Sequence, residues 1–359
     1  GVDVNATDAE GLRTIGRFFA SQGVTGWLCS VLTDTPEQTL WCMEQARQVI
    51  EGGPCGGAAL LGVHLEGPCL SSEYKGAMPE HLLMHTADAE LFAKYQKASG
   101  GHVRYTTLAP EIPGVPGLIP RLNAMGIVCA MGHSGAGYDQ CAACVDAGVR
   151  SVTHLGNAMR LFHQHDPAIF GVALERDVYV EAICDGRHLH PGTVRLYLKA
   201  KGYDRVVAVT DSIMAAGLPD GSYKLGVNDV IVENGDAKLP NGVRAGSTLT
   251  MAQALRNLMA FTGEGAETVS SLAAMREATA GTPPDQLWVI GGGSIYAAML
   301  SQCARAYVTR VDAAAEGADS FFPNLDKLPG WTVRAVSEPV TENGLTYRFY
   351  DYVNTKLCD

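Results

Sequence analysis

The sequence predicts an α/β protein: a (β/α)8, TIM-like barrel lacking its first strand, followed by a partial α/β segment. Three observations predict it. Short, continuous apolar runs alternate with longer helical patterns, as in a parallel sheet covered on both faces. Polar residues collect at the C-terminal ends of those runs, the barrel face that carries chemistry. Beyond about Gly263 the rhythm breaks into short alternating runs. The expected domains are therefore 1–262, a barrel incomplete at its N-terminus, and 263–359.

The strand-like runs are TGWLCSVLT (25–33), LLGVHLEG (60–67), VRYTTLAPE (103–111), IVCAMGHS (127–134), SVTHLGNA (151–158), YVEAICDG (179–186) and VVAVTDS (206–212). Amphipathic stretches such as TPEQTLWCMEQARQVIEGG separate them. Seven such strands suit a barrel better than an open sheet, which stays the alternative. An eighth strand is missing, and a start at GVDVNA places it before this sequence. The segment GLPDGSYKLGVNDVIVENGDAKLPNGV is dense in turn signals and predicts hairpins after the last barrel strand. Further on, LWVIGGGSIY predicts a strand, a glycine turn and a helix, and YVTRVD, WTVRAVSEPV and LTYRFYDYV predict antiparallel strands.

Hydrophobic residues make up 47% of the chain and charged residues 18%, enough for a sizeable core. The formal net charge of -11 argues against general nucleic-acid affinity, since no basic patch is present to neutralise phosphates. No apolar run is long enough to span a bilayer, and the first residues lack the pattern of a signal peptide. The ten cysteines show no dense disulfide spacing. Cys141-x-x-Cys144 reads as a pair of small helix-packing residues, and a reducing, cytoplasmic compartment fits.

Glu66, His133 and His154 end three different predicted strands, and Asp185 and Asp211 end two more. Two imidazoles and one carboxylate leave an open position on a zinc ion, as a catalytic site requires. Asp211 could then move a proton between water and a leaving amine. Each residue alone is better read as a packing or capping group; their common placement makes the metal reading the sharper one.

The motifs HLEGP (64–68), KGA (75–77), GHS (132–134), THLGNAM (153–159), DGRHLHP (185–191), TDSIMAAGLPDGSYKLG (210–226) and AGSTLTM (245–251) resemble, in order and spacing, those of the N-acetylglucosamine-6-phosphate deacetylases, metal-dependent amidohydrolases. The resemblance implies Glu66, His133 and His154 as ligands of one divalent metal, most simply zinc, and Asp211 as catalytic acid/base. It implies substrate contacts from Ala77, Asn157, Ala158, His188, Ala245 and Gly246. It also implies a small-molecule amino-sugar phosphate substrate and a homodimer. Three departures stand out. His165, in QHDPA, occupies the place of a phosphate-binding arginine; Met78 follows KGA where histidine is common; and Gly156 replaces an aromatic residue.

Residues 266–354 resemble a different family, the C-terminal half of dihydrofolate reductase. VIGGGSIYAAML (289–300) is similar to the strand–glycine–helix element that approaches the NADPH pyrophosphate, through Gly291, Gly292 and Gly293. Thr309 is placed near the folate pocket by that resemblance. Three readings follow: a metal-dependent deacetylase, an NADPH-binding module, or a hybrid chain in which neither site is whole.

Overall fold

The computed structural model describes residues 1–53, 56–263, 271–289, 293–313, 322–342 and 344–357. The chain divides into two compact units, Gly1–Gly265 and Ala266–Asp359.

The first unit is a curled parallel sheet whose strands lie in chain order: β1 (Gly26–Leu32), β2 (Ala59–Glu66), β3 (Val103–Leu108), β4 (Val128–Met131), β5 (Ser151–Val152), β6 (Tyr179–Ile183) and β7 (Val206–Val209). These are the seven predicted runs, one short of the eight that close such a barrel. Helices α1 (Ala9–Ser21), α2 (Pro36–Glu51), α3 (Ala89–Ala98), α4 (Val115–Ala124), α5 (Tyr138–Ala147), α6 (Ala168–Glu175), α7 (Pro191–Lys201) and α8 (Met251–Thr262) each pack on the next. Side-chain caps start several of them. Asp8 accepts from Gly11 N–H before α1, Thr35 from Gln38 N–H before α2, and Asp88 from Leu91 N–H before α3. Each cap satisfies an amide that the helix cannot, worth about 1 kcal/mol.

The main core lies between helices and strands, with Met43, Phe92, Leu122, Val180 and Val194 fully buried. The barrel interior is polar by contrast. Ser30 Oγ and His64 Nδ1 are 2.9 Å apart, His64 Nε2 and Thr107 Oγ1 2.8 Å, and Thr107 and Thr153 hydroxyls 2.8 Å. Ser30 pairs with His64 and Leu28 with Gly62, so Leu28 shares the interior face; Val207 pairs with Glu181 in the same way. Leu28 is 37% exposed and Val207 42%, because β1 and β7 are the two sheet edges and neither pairs with the other.

After β7 the predicted hairpins form a three-stranded antiparallel sheet: β8 (Gly221–Leu225), β9 (Asn228–Glu233) and β10 (Asp236–Lys238). The Asn234–Gly235 turn has both φ angles positive, 53° and 72°, as a two-residue hairpin with strand-matched twist demands. Val230, Val232 and Ala237 pack beneath it with Ile213 and Ala245.

The second unit holds α9 (Leu272–Ala278), α10 (Gly293–Met299) and strands β11 (Arg305–Val311), β12 (Trp331–Val336), β13 (Val340–Glu342) and β14 (Leu345–Asn354). The antiparallel order β11–β14–β12, with β13 also on β14, matches the predicted strand character. One expectation fails. Leu287, Trp288 and Val289 form no strand. A strand needs a partner to take its backbone hydrogen bonds, and Trp288 instead stacks on Tyr307 with ring centroids 5.9 Å apart while 68% exposed. Gly291 and Gly292 lie outside the described residues, and Gly293 opens α10.

Candidate metal centre

One local device places the site. Glu66 is the last residue of β2. His133, His154, Asp185 and Asp211 each lie two residues beyond the end of a strand, β4, β5, β6 and β7 respectively. Three of them hold φ in the left-handed region: His133 at 48°, His154 at 32° and Asp211 at 47°, joined by Ala158 at 47°. Side chains with a Cβ rarely adopt that conformation, and it turns each strand end sharply inward.

Glu66, His133 and His154 are buried, with exposures of 5%, 5% and 6%. Glu66 Oε1 lies 3.1 Å from each histidine Nε2, and the two Nε2 atoms are 3.1 Å apart. The tautomer of His133 follows from its other nitrogen. Nδ1 is 2.9 Å from the carbonyl oxygen of Tyr74, which only accepts, so Nδ1 carries the proton. In neutral His133 the Nε2 lone pair then faces a carboxylate oxygen and a second imidazole nitrogen. The carboxylate oxygen and the two ring nitrogens then need a cation between them, or the His154 proton on Nε2.

The three residues fit a divalent metal, with all ligand atoms within 4.8 Å of one another. Four-coordinate zinc with bonds near 2.0–2.1 Å sets its donors about 3.3 Å apart, close to the separations here. The Tyr74 carbonyl on His133 Nδ1 is the outer contact that metal-ligating histidines commonly make.

The electrostatics run the same way. Burial pushes the Glu66 carboxyl up, but hydrogen bonds and charge from His133 and His154 outweigh it and hold it well below the usual range. Burial opposes a charge on His154, yet the hydrogen bond and charge of Glu66, with Asp211 and Glu181 behind, raise it to about 9. Asp211 is raised, by burial first and by the negative Glu66 second. His64, deeper in the barrel, is lowered to about 4 by burial and stays neutral.

The other expected residues surround this cluster unevenly. His188 Nδ1 lies 2.6 Å from Asp185 Oδ2, both side chains being nearly buried. Gly246 (φ 57°) backs Asp211: a Cβ there would come within 2.9 Å of the Asp211 carbonyl oxygen and 2.6 Å of Ile213. Asn157 Nδ2 donates to the His154 carbonyl at 3.1 Å. The Ala77 carbonyl accepts from Asn228 Nδ2, and Ala245 N–H donates to the Ala237 carbonyl. His165 sits on an exposed loop, its backbone N–H directed at His163 Nδ1. Among the described residues no hydrogen bond or ion pair joins it to the Glu66 cluster. Arg160 on the same loop pairs with Asp166 at 2.9 Å.

Sequence reasoning missed four supporting groups. Tyr74 acts through a backbone carbonyl, which leaves no side-chain signal. Glu111 accepts from Ser134 Oγ at 2.7 Å and from Gly135 N–H at 2.6 Å, holding the turn after His133. Glu181 and Tyr105 meet inside the barrel at 2.7 Å. Glu181 did carry a signal: a carboxylate in the middle of an apolar strand must have partners.

The chain resembles known proteins in two parts. It is 38% identical over 244 residues to N-acetylglucosamine-6-phosphate deacetylase of Bacillus subtilis, covering 67% of this chain and 61% of that protein. The Bos taurus enzyme of the same name is 35% identical, with 77% of this chain and 70% of the relative covered. The fold matches a mutant N-acetyl-D-glucosamine-6-phosphate deacetylase of Mycobacterium smegmatis, solved in complex with N-acetyl-D-glucosamine-6-phosphate. That match has a TM-score of 0.69 at 35% identity, over 73% of this chain and 68% of that one. The chain thus spans about three fifths of the Bacillus subtilis protein's length. Residues 254–354 match a family model described as dihydrofolate reductase. The shared barrel and these identities show that the chain belongs to the N-acetylglucosamine-6-phosphate deacetylase family.

Proposed function

We propose that the first unit binds one divalent metal, most simply zinc, on Glu66, His133 and His154. With it, the unit hydrolyses the acetamide of N-acetylglucosamine 6-phosphate or a related N-acetylated amino sugar, releasing acetate. The observation that carries this reading is the convergence of Glu66 Oε1 and two Nε2 atoms at 3.1 Å, with the His133 proton held on the far nitrogen. When bound, a divalent cation supplies Lewis acidity, lowering the pKa of water and polarising a carbonyl.

The protein's own groups do the rest. Asp211, its carboxyl raised by burial, takes a proton from the attacking water and delivers it to the amine nitrogen. The water oxygen bonds to the acetyl carbon, the carbon–nitrogen bond breaks, and acetate and the free amine leave. His188, whose Nδ1–H donates to Asp185, holds the substrate carbonyl oxygen by donating Nε2–H, which requires the doubly protonated imidazolium. Asn157, Ala158, Ala77, Ala245 and Gly246 frame the sugar. His165 takes the place of a phosphate-binding arginine, so phosphate is held by a weaker, pH-dependent donor.

The test is metal analysis of the purified chain together with acetate release from phosphorylated and unphosphorylated N-acetylglucosamine. About one metal per chain and metal-dependent acetate release are expected. A chain that takes up no metal on reconstitution refutes the reading. Residues 254–354 match dihydrofolate reductase in the part that resembles only the C-terminal half of that enzyme, and no reductase activity is proposed from it.

A further inference from the structure

The two histidines of the cluster are held differently. His133 has its ring anchored, Nδ1 to the Tyr74 carbonyl. His154 Nδ1 is buried and has no hydrogen-bond partner among the described residues. The aim of the His154 ring therefore depends on its backbone, which sits at φ 32°, a conformation that does not persist without outside support.

Asn157 holds the His154 carbonyl, through Nδ2 at 3.1 Å and N–H at 3.0 Å, and the amide side is held by one residue on the neighbouring strand. Glu181 Oε2 accepts the His154 N–H at 3.1 Å, and the Glu181 backbone carbonyl accepts the next amide, Leu155 N–H, at 2.9 Å. The carboxylate is itself tied down, since Tyr105 Oη donates to Oε1 at 2.7 Å. Consecutive amides of a left-handed turn are thus gripped by a single glutamate, whose orientation is set from across the barrel by a tyrosine on β3.

We propose that Glu181 is a positioning residue for the metal centre: it aims the His154 imidazole by clamping the His154 backbone, in place of the ring contact that His133 has. The proposal rests on the reading of Glu66, His133 and His154 as metal ligands. The acceptor oxygen of Glu181, not its charge, does the positioning, because the contact is to a neutral backbone amide. Tyr105 acts one step further out.

The experiment measures zinc affinity by chelator competition and the visible absorption of the cobalt-loaded chain, for wild type, Glu181→Ala, Glu181→Met, Glu181→Gln and Tyr105→Phe. Glu181→Met keeps the side-chain volume without an oxygen, so it serves if the alanine variant fails to fold. The expected loss of zinc affinity is about 10- to 100-fold in the Ala and Met variants, the range typical of outer contacts to metal ligands. Their cobalt band should change intensity as the ligand geometry loosens. Glu181→Gln, which keeps an oxygen for the His154 N–H, should stay within about threefold of wild type, and Tyr105→Phe should fall between. Unchanged affinity in Glu181→Met, with wild type binding normally, overturns the positioning role alone. Equal losses in Met and Gln also overturn it, because charge would then be the agent. Absence of zinc binding by wild type overturns the metal-centre reading and the proposal with it.

Discussion

The two units are both α/β, yet they bury their strands in opposite ways. In the first, β2 to β6 run between a layer of helices and a polar interior, and Val63, Cys129, Val152 and Val180 are inaccessible. In the second, the described residues contain only three buried hydrophobic side chains, Leu300, Leu325 and Tyr352. Tyr307 is 57% exposed and Phe349 53%, on paired positions two register steps apart on one face of the sheet. Chemistry follows the same division. A cluster of electron-rich atoms such as Glu66, His133 and His154 costs stability, and it is tolerated where a rigid surround enforces it. Among the described residues of the second unit, the sheet has no comparable enclosure.

The comparison can be broken or sharpened by experiment. The largest effect is expected from Glu66→Ala, which removes the ligand atom shared by both histidines. Metal content should drop from about one per chain to near zero, with acetate release lost. Retention of metal in that variant would separate the cluster from the metal. Next, Asp211→Asn should keep the metal while acetate release falls on the order of 10²- to 10⁴-fold; a parallel loss of metal would make Asp211 a ligand instead.

Packing should show the contrast as energy. Phe92→Ala, at a fully buried barrel position, should cost about 3–5 kcal/mol, read as lost hydrogen-exchange protection in peptides from β2 to β4. Leu325→Ala should cost about 2 kcal/mol in peptides from β11 and β14, where the surroundings can collapse into the gap. Losses of equal size would mean that the second unit is packed as tightly as the first.

The smallest effect concerns the hairpin sheet. Hydrogen bonds from Arg244, and then Lys238, hold the Asp236 carboxyl below its ordinary value of 3.8 against the cost of burial. A depressed folded-state pKa stabilises above the unfolded value and is lost as pH falls through the folded one. Asp236→Asn should therefore lower stability by about 1 kcal/mol at pH 7. That difference should shrink below about pH 4. A difference that stays constant down to pH 2 would count against the ion pair as its source.

Much of this was legible in the chain. All seven barrel strands came from continuous apolar runs, and the hairpins from Asn234–Gly235 and neighbouring turn residues, because both signals are local. Leu287–Val289 misled for the same reason: its pattern is strand-like, but pairing is decided by whether a partner strand is there. Glu66, His133, His154 and Asp211 could be singled out because each ends or closely follows a recognisable strand.

What the sequence by itself determined was the order of elements and the end of the barrel at which polar residues gather, since period and turn chemistry depend on near neighbours. Only the tertiary structure decided that Glu66 Oε1 and two Nε2 atoms meet at 3.1 Å. It alone put the His133 proton on the side of Tyr74 and brought Glu181 Oε2 to the His154 N–H. Those contacts join residues 21 to 88 positions apart, and such distances close only when the sheet curls and brings separate strand ends to one point.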